Sequence, residues 1–236
     1  MTSKSPAQSL ADATALCVSQ SDVAGVLVAL LEECANALSA DAAGVLVTTD
    51  RGELELLSST SHEAAHLELH QIQQNRGPCI EVRATGAGVA ATSVEEMVRR
   101  WDDVGQVVVD AGFRSVHAVP MRWHGDAFGA LSTFSTTERS LSADDARLQQ
   151  AFADVASLAI VGPSRYTTEM LHERVETALH GRAVIEQAKG VLRYREGLSN
   201  AAAYGDLVQR AQRAGHSLTE VAEEVLRSVQ PGAATG

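Results

Sequence analysis

The sequence predicts an α+β fold in two parts: a sandwich made of an antiparallel sheet flanked by helices, then a three-helix bundle. Three observations carry this. Two pairs of short β-rich runs, each joined by a Gly-containing turn, alternate with helix-periodic stretches up to residue 161. The triplet Gly162-Pro163-Ser164 then punctuates the chain, since a proline removes a backbone donor and clashes with the preceding helical turn. Beyond it no strand pattern recurs, and three helix-periodic segments with start and stop signals complete the chain.

A chain of 236 residues suffices for one large or two small domains. No run of roughly 18 apolar residues occurs, so no membrane-spanning helix is expected. Met1-Thr-Ser-Lys-Ser-Pro6 is not followed by a signal-like apolar block, which makes a cytoplasmic location the expectation. Cys17, Cys34 and Cys79 are odd in number and lack metal-ligand spacing, and read as reduced thiols. The net charge of −11 argues against a broad cationic surface, but it is unevenly spread. Residues 1–163 hold 10 Lys+Arg against 21 Asp+Glu, whereas residues 164–236 hold 9 of each. Nucleic-acid contact in the second part would have to be local.

In chain order, residues 1–20 read as a polar lead, helical at most in its final turn. From Asp22 to Leu38, apolar residues recur at helical spacing. Gly44–Thr49 and Glu53–Leu57 form a strand pair about an Asp50-Arg-Gly52 turn. A helix is expected over 62–74, irregular chain over Asn75–Cys79, and one amphipathic segment over Val94–Ala111. Arg114–Met121 and Phe128–Phe134 form a second pair, and Ser142 with Asp145 caps a long closing helix. Helices are then expected at about 165–195, 200–214 and 218–229, with Gly197 and Gly215 as stops and Ser199 and Ser217 as caps. Ala203, Tyr204, Leu207, Val208 and Ala211 make one apolar face; Leu218, Val221, Ala222, Val225, Leu226 and Val229 make another.

The first of these three helices carries the most pointed pattern. At 100° per residue, Val184, Ile185, Ala188, Val191 and Leu192 share one face, and Arg182, Glu186, Lys189 and Arg193 gather opposite. Lys189 is one of only two lysines, the other being Lys4. Read from residue types alone, the stripe is a solvated face laced by Arg182–Glu186–Lys189 ion pairs. The spacing of Leu179, Arg182, Ile185-Glu-Gln-Ala-Lys-Gly190 and Leu192, then Gly197, Ser199, Ala203-Tyr204 and Leu207, then Leu218 and Val221-Ala222, resembles the ANTAR domain. That resemblance implies an RNA-binding module of transcription antitermination regulators, recognising tandem hexaloop hairpins in nascent RNA, where splayed loop bases are open to contact. It implies Arg182, Gln187, Ala188, Lys189, Gly190, Arg193 and Tyr204 as RNA-binding residues, and a homodimer paired through a stripe of Met170, Leu171, Val175, Ala178 and Ile185. The chain departs from the family pattern at Ala211, Gly215 and Ser217, and has Arg193 where Met is common.

The first part resembles a GAF domain through Leu67-Glu68, Gln71, Gly77-Pro78-Cys79, Arg100-Trp101, Ala118-Val-Pro-Met121 and Phe128-Gly-Ala-Leu131. The implied organisation is a lead over 1–21, a sensory domain over 22–161, a linker and coiled-coil helix over 162–178, an RNA-binding bundle over 179–230 and a tail over 231–236. A GAF domain implies an unnamed small-molecule ligand, with Cys79, Trp101, Phe113, His117 and Phe134 as pocket candidates. Cofactors are unknown and none is required by the sequence. The same side chains also suit a plain core, and a redox role for Cys79 would need access and a low pKa. His62-Glu-Ala-Ala-His66, with His70 a turn later, matches a zinc-protease motif but lacks its continuation, so neither catalysis nor a metal is expected. The alternative function is a ligand sensor whose helical end signals to a protein partner.

Overall fold

The protein, seen as a computed structural model, is described over residues 4–19, 22–161 and 168–229. Gly162-Pro163-Ser164, the tail over 231–236 and the side chains of Met170 and Leu171 lie outside what is described. Five strands form one antiparallel sheet: β1 (Ala42–Thr48), β2 (Leu54–Ser59), β3 (Val89–Ala91), β4 (Ser115–Trp123) and β5 (Asp126–Ser135), in the order β2-β1-β5-β4-β3. Strand β1 is buried on both faces, which is why it reads as a continuous apolar run instead of an alternation. Ala43, Val45 and Val47 face a layer made by α1 (Pro6–Ser19), α2 (Val23–Ala37) and α7 (Ala143–Val161). Ala42 and Leu46 face the opposite layer of α3 (His62–Gln74), α4 (Pro78–Thr85), α5 (Val94–Trp101) and α6 (Asp103–Asp110).

Four elements differ from expectation. The polar lead is the helix α1, docked through Ala13, with Leu10 and Cys17 packed partly beside it. That stripe of small and isolated residues is too narrow to stand out as amphipathic. The irregular segment after α3 is a three-residue reversal followed by α4: Asn75 closes α3 in the left-handed region, Gly77 takes φ 128°, and Pro78 begins the next helix. Proline is suited to a first helical position, where its missing N–H has no partner to lose. The single segment over Val94–Ala111 is two helices broken at Asp102, whose φ is 47°. Strand β3, only three residues long, was not visible as a pattern.

The C-terminal part consists of α8 (Thr168–Glu196), α9 (Asn200–Ala214) and α10 (Leu218–Arg227). Its stops and caps are those expected. Gly197 and Gly215 take φ 66° and 68°, Ser199 accepts from the Ala202 N–H at 3.2 Å, and Ser217 and Glu220 cap each other reciprocally at 3.1 and 2.8 Å. Val184, Ile185, Ala188 and Leu192 pack with Ala203, Leu207 and Ala211 and with Leu218, Val221, Ala222 and Val225. Tyr204, Val208 and Leu226 are only partly buried, and Val229, beyond the end of α10, is exposed. The stripe read as a coiled coil is used inside the chain: Val175 and Ala178 are buried in the core shared with α2 and α7, and Ile185 in the bundle. Ala24 of α2 joins the bundle core, so the two parts are packed together.

Candidate functional site

The basic stripe of α8 divides into a sheltered end and an open end. Arg182 is half-buried where α8 meets α2 and β2, beside Ala24, Val28 and Leu57. Burial pulls its guanidinium below the ordinary arginine value, against the opposing charges of Glu186 and Glu55. Lys189 places Nζ 2.8 Å from Glu186 Oε1 and keeps 11% side-chain exposure. Gln187, Gly190 and Arg193 are exposed. Two candidates must be corrected. Ala188 is completely buried in the bundle core, because it lies on the apolar face of α8, and its methyl cannot reach an RNA. Tyr204 is half-buried in a cleft of about 370 Å³ between α2, α9 and α10, lined also by Asp22 and His216. Burial, then the charges of Glu32 and Asp22, raise its hydroxyl above the usual tyrosine range. It is a packing residue at the junction, not an open stacking platform. Tyr194, absent from the candidates, is 92% exposed on α8.

One carboxylate joins the two parts. Asp22 caps α2, its Oδ1 accepting from the Ala24 N–H at 3.2 Å. The same Oδ1 accepts from Thr219 Oγ1 at 2.9 Å, and Oδ2 accepts from the Thr219 N–H at 3.0 Å. Asp22 therefore serves the first turns of both α2 and α10. Around it the packing is close: a Cβ on Gly181 would stand 3.1 Å from Thr219 Oγ1 and 3.3 Å from the Ala24 Cβ.

In the first part, Cys79, Trp101, Phe113 and Phe134 come together in the core between the sheet and α3–α6, with the Phe113 and Phe134 rings 5.3 Å apart. His117 does not join them. It points to the other face of β4, where Gln149 of α7 donates to its backbone carbonyl and to Thr133 Oγ1. Burial, followed by the charge of Arg139, holds its imidazole down to about 4.

A polar cluster occupies the centre of the layer beneath α3. Glu68 is fully buried over Gly44 and Ser132, which are paired across β1 and β5. Ser132 Oγ donates to Glu68 Oε1, Gln71 Nε2 donates to Oε2 at 3.0 Å, and the Cys79 thiol contacts Oε1 at 3.8 Å. Gln71 Oε1 in turn accepts from the Cys79 N–H at 3.0 Å, and a Cβ on Gly77 would meet that oxygen at 2.5 Å. Burial pushes the Glu68 carboxyl up to about 7, with Ser132 and Cys79 opposing. Burial also drives the Cys79 thiol well above its ordinary range. Cys79 is thus an enclosed, protonated thiol, the opposite of what a redox sensor requires. Glu68 and Gln71 were visible as motif residues; their convergence on Ser132 was not, because it depends on strand pairing 64 residues away. Among the described residues His62, His66 and His70 form no metal-binding group with other His, Cys, Asp or Glu side chains. No helix among them is long and apolar enough to cross a membrane.

The chain is thus an α+β sandwich packed against a helical module. The family model of the GAF domain matches residues 20–161 and that of the ANTAR domain residues 173–226, so the chain belongs to the GAF family and has the make-up of a GAF–ANTAR regulator. Both domains are regulatory and generally non-enzymatic. Among solved structures, the GAF domain of a phosphoenolpyruvate-protein phosphotransferase from Coxiella burnetii is 13% identical, covering 68% of this chain and 95% of that one at a TM-score of 0.55. The corresponding Acinetobacter domain is 14% identical, covering 76% and 96% at 0.53. A phycocyanobilin-bound GAF domain of a cyanobacterial phytochrome is 15% identical, covering 67% and 95% at 0.51. These likenesses concern the fold. No curated protein matches the chain.

Proposed function

We propose that this chain is a signal-responsive, cytoplasmic RNA-binding regulator that promotes transcription antitermination by binding paired hexaloop hairpins in nascent RNA, and that its GAF domain receives a small-molecule signal. The observation that carries the reading is the ANTAR match over α8–α10, with Lys189 and Arg193 on one helix next to the open Gly190. Arg193 supplies a solvated charge to a phosphate. Lys189 is held by Glu186, and Arg182 by the packing of α8 against α2 and β2.

The docked arrangement is the resting form in this reading. Val175, Ala178 and Ile185, the residues through which two copies would pair, are covered by the same packing that shelters Arg182. Movement of α8 away from the GAF domain would free the dimer stripe and Arg182 together. The test is binding of the full chain to a two-hairpin hexaloop RNA at fixed salt, beside a scrambled RNA. Lys189→Ala should weaken binding and reduce the dependence of log K on log[salt] by about 1. Equal binding of hairpin and scrambled RNA would exclude the reading. A protein captured by α8–α10 with no RNA bound would favour signalling through a protein partner.

A further inference from the structure

The C-terminal half of α8 carries an arrangement that the packing of the chain does not use. Tyr194 is the one aromatic among the exposed large hydrophobic side chains of the described residues. Gly190 lies one turn earlier on the same face, and a Cβ placed there would meet nothing within 4 Å. No internal contact therefore calls for glycine, although glycine in a helix interior is disfavoured relative to alanine. Gln187, three residues before Gly190, continues this face and is also exposed. Helical side chains lean toward the helix N-terminus, which directs the Tyr194 ring over the bare Gly190 turn, about 6 Å away along the axis.

We infer that Gln187, Gly190 and Tyr194 form a shelf that receives one unpaired base of the bound RNA, stacked on the Tyr194 ring, with the Gln187 amide at its edge. The inference rests on the RNA reading above and specifies which side chain holds a loop base. An unpaired base offers a flat face, and an exposed tyrosine is the surface on which such faces stack. The missing side chain at Gly190 leaves room for the base beside the helix backbone. Gln187 offers both a donor and an acceptor to a base edge. Arg193 is next to the shelf and makes no ion pair among the described residues, leaving its charge to the flanking phosphate. Arg195 is steadied by a 3.2 Å hydrogen bond to Ser228 Oγ.

The experiment uses the full chain, alone and with Thr219→Val to loosen the Asp22 clamp, and a two-hairpin hexaloop RNA carrying 2-aminopurine at each loop position in turn. Wild-type protein should quench one loop position. Tyr194→Phe should keep the quenching, and Tyr194→Ala should abolish it and weaken binding about tenfold or more. Gly190→Ala should raise the melting temperature yet weaken binding, a combination that a glycine serving only the fold does not give. Wild-type binding with Tyr194→Ala unchanged in affinity and quenching would overturn the shelf and leave the RNA reading standing. Absence of specific binding in both backgrounds would remove the RNA reading, and the shelf with it.

Discussion

Glu68 and His117 are two buried titratable groups on opposite faces of one sheet, and their pH effects have opposite sign. Glu68 is pushed up from 4.5 to about 7, so its contribution to stability is fully present below about 4.5 and is lost as pH rises through about 7. When protonated it can donate to Ser132, leaving the Ser132 proton for the Gly44 carbonyl 3.4 Å away. His117 is held down from 6.5 to about 4, so its contribution is present above 6.5 and is lost as pH falls through about 4. Between those limits the two slopes offset each other, and the wild-type denaturation midpoint should vary little with pH. Glu68→Gln removes one slope and should leave a protein that loses on the order of 3 kcal/mol on going from pH 7 to pH 4. Urea titrations at those two pH values read this directly; a wild type and variant with parallel pH profiles would show that Glu68 does not titrate in this range.

At the scale of elements, the reversal between α3 and α4 is the most constrained piece of chain in the GAF domain. Gly77 combines φ 128° with contact against Gln71, the residue that also holds the Cys79 N–H and the Glu68 carboxylate. Gly77→Ala should destabilise the domain by about 1–3 kcal/mol through overpacking and backbone strain, measured as a lower urea midpoint with little change in slope. Gly215→Ala, at a left-handed φ of 68° with nothing within 4 Å, should cost less. The contrast tracks what was legible in the sequence. The helix over 200–214 was readable because its cap Ser199, its stop Gly215 and its apolar period agree. The break at Asp102 has no proline or glycine to announce it, and α1 has too few large apolar residues to mark a face. At the candidate site, the identities of Arg182 and Lys189 were legible but their shelter was not. That of Arg182 depends on α8 meeting α2 and β2, over a hundred residues earlier, and helical period cannot indicate which neighbour covers a polar face.

For the whole molecule, the packing of the ANTAR domain on the GAF domain is, on the proposed reading, the quantity that a signal has to change. Thr219→Val keeps the shape and the Ser217–Glu220 capping box but removes the hydroxyl hydrogen bond to Asp22. Loss of one hydrogen bond to a charged acceptor should weaken docking by about 1.5 kcal/mol and raise hairpin affinity roughly tenfold. Hydrogen exchange in the first turn of α10 should rise in parallel; unchanged affinity together with faster exchange would show that docking does not oppose RNA binding. Asp22 gives this arrangement a consequence of its own. Its Oδ1 is divided between the starts of two helices that lie almost two hundred residues apart in the chain. In sequence, the border between the domains falls after residue 161; in space, one of its seams runs through residue 22. On the proposed reading, a ligand that shifts the beginning of α2 reaches the start of α10 through the Asp22 carboxylate, across the contact between the domains as well as along the chain that joins them.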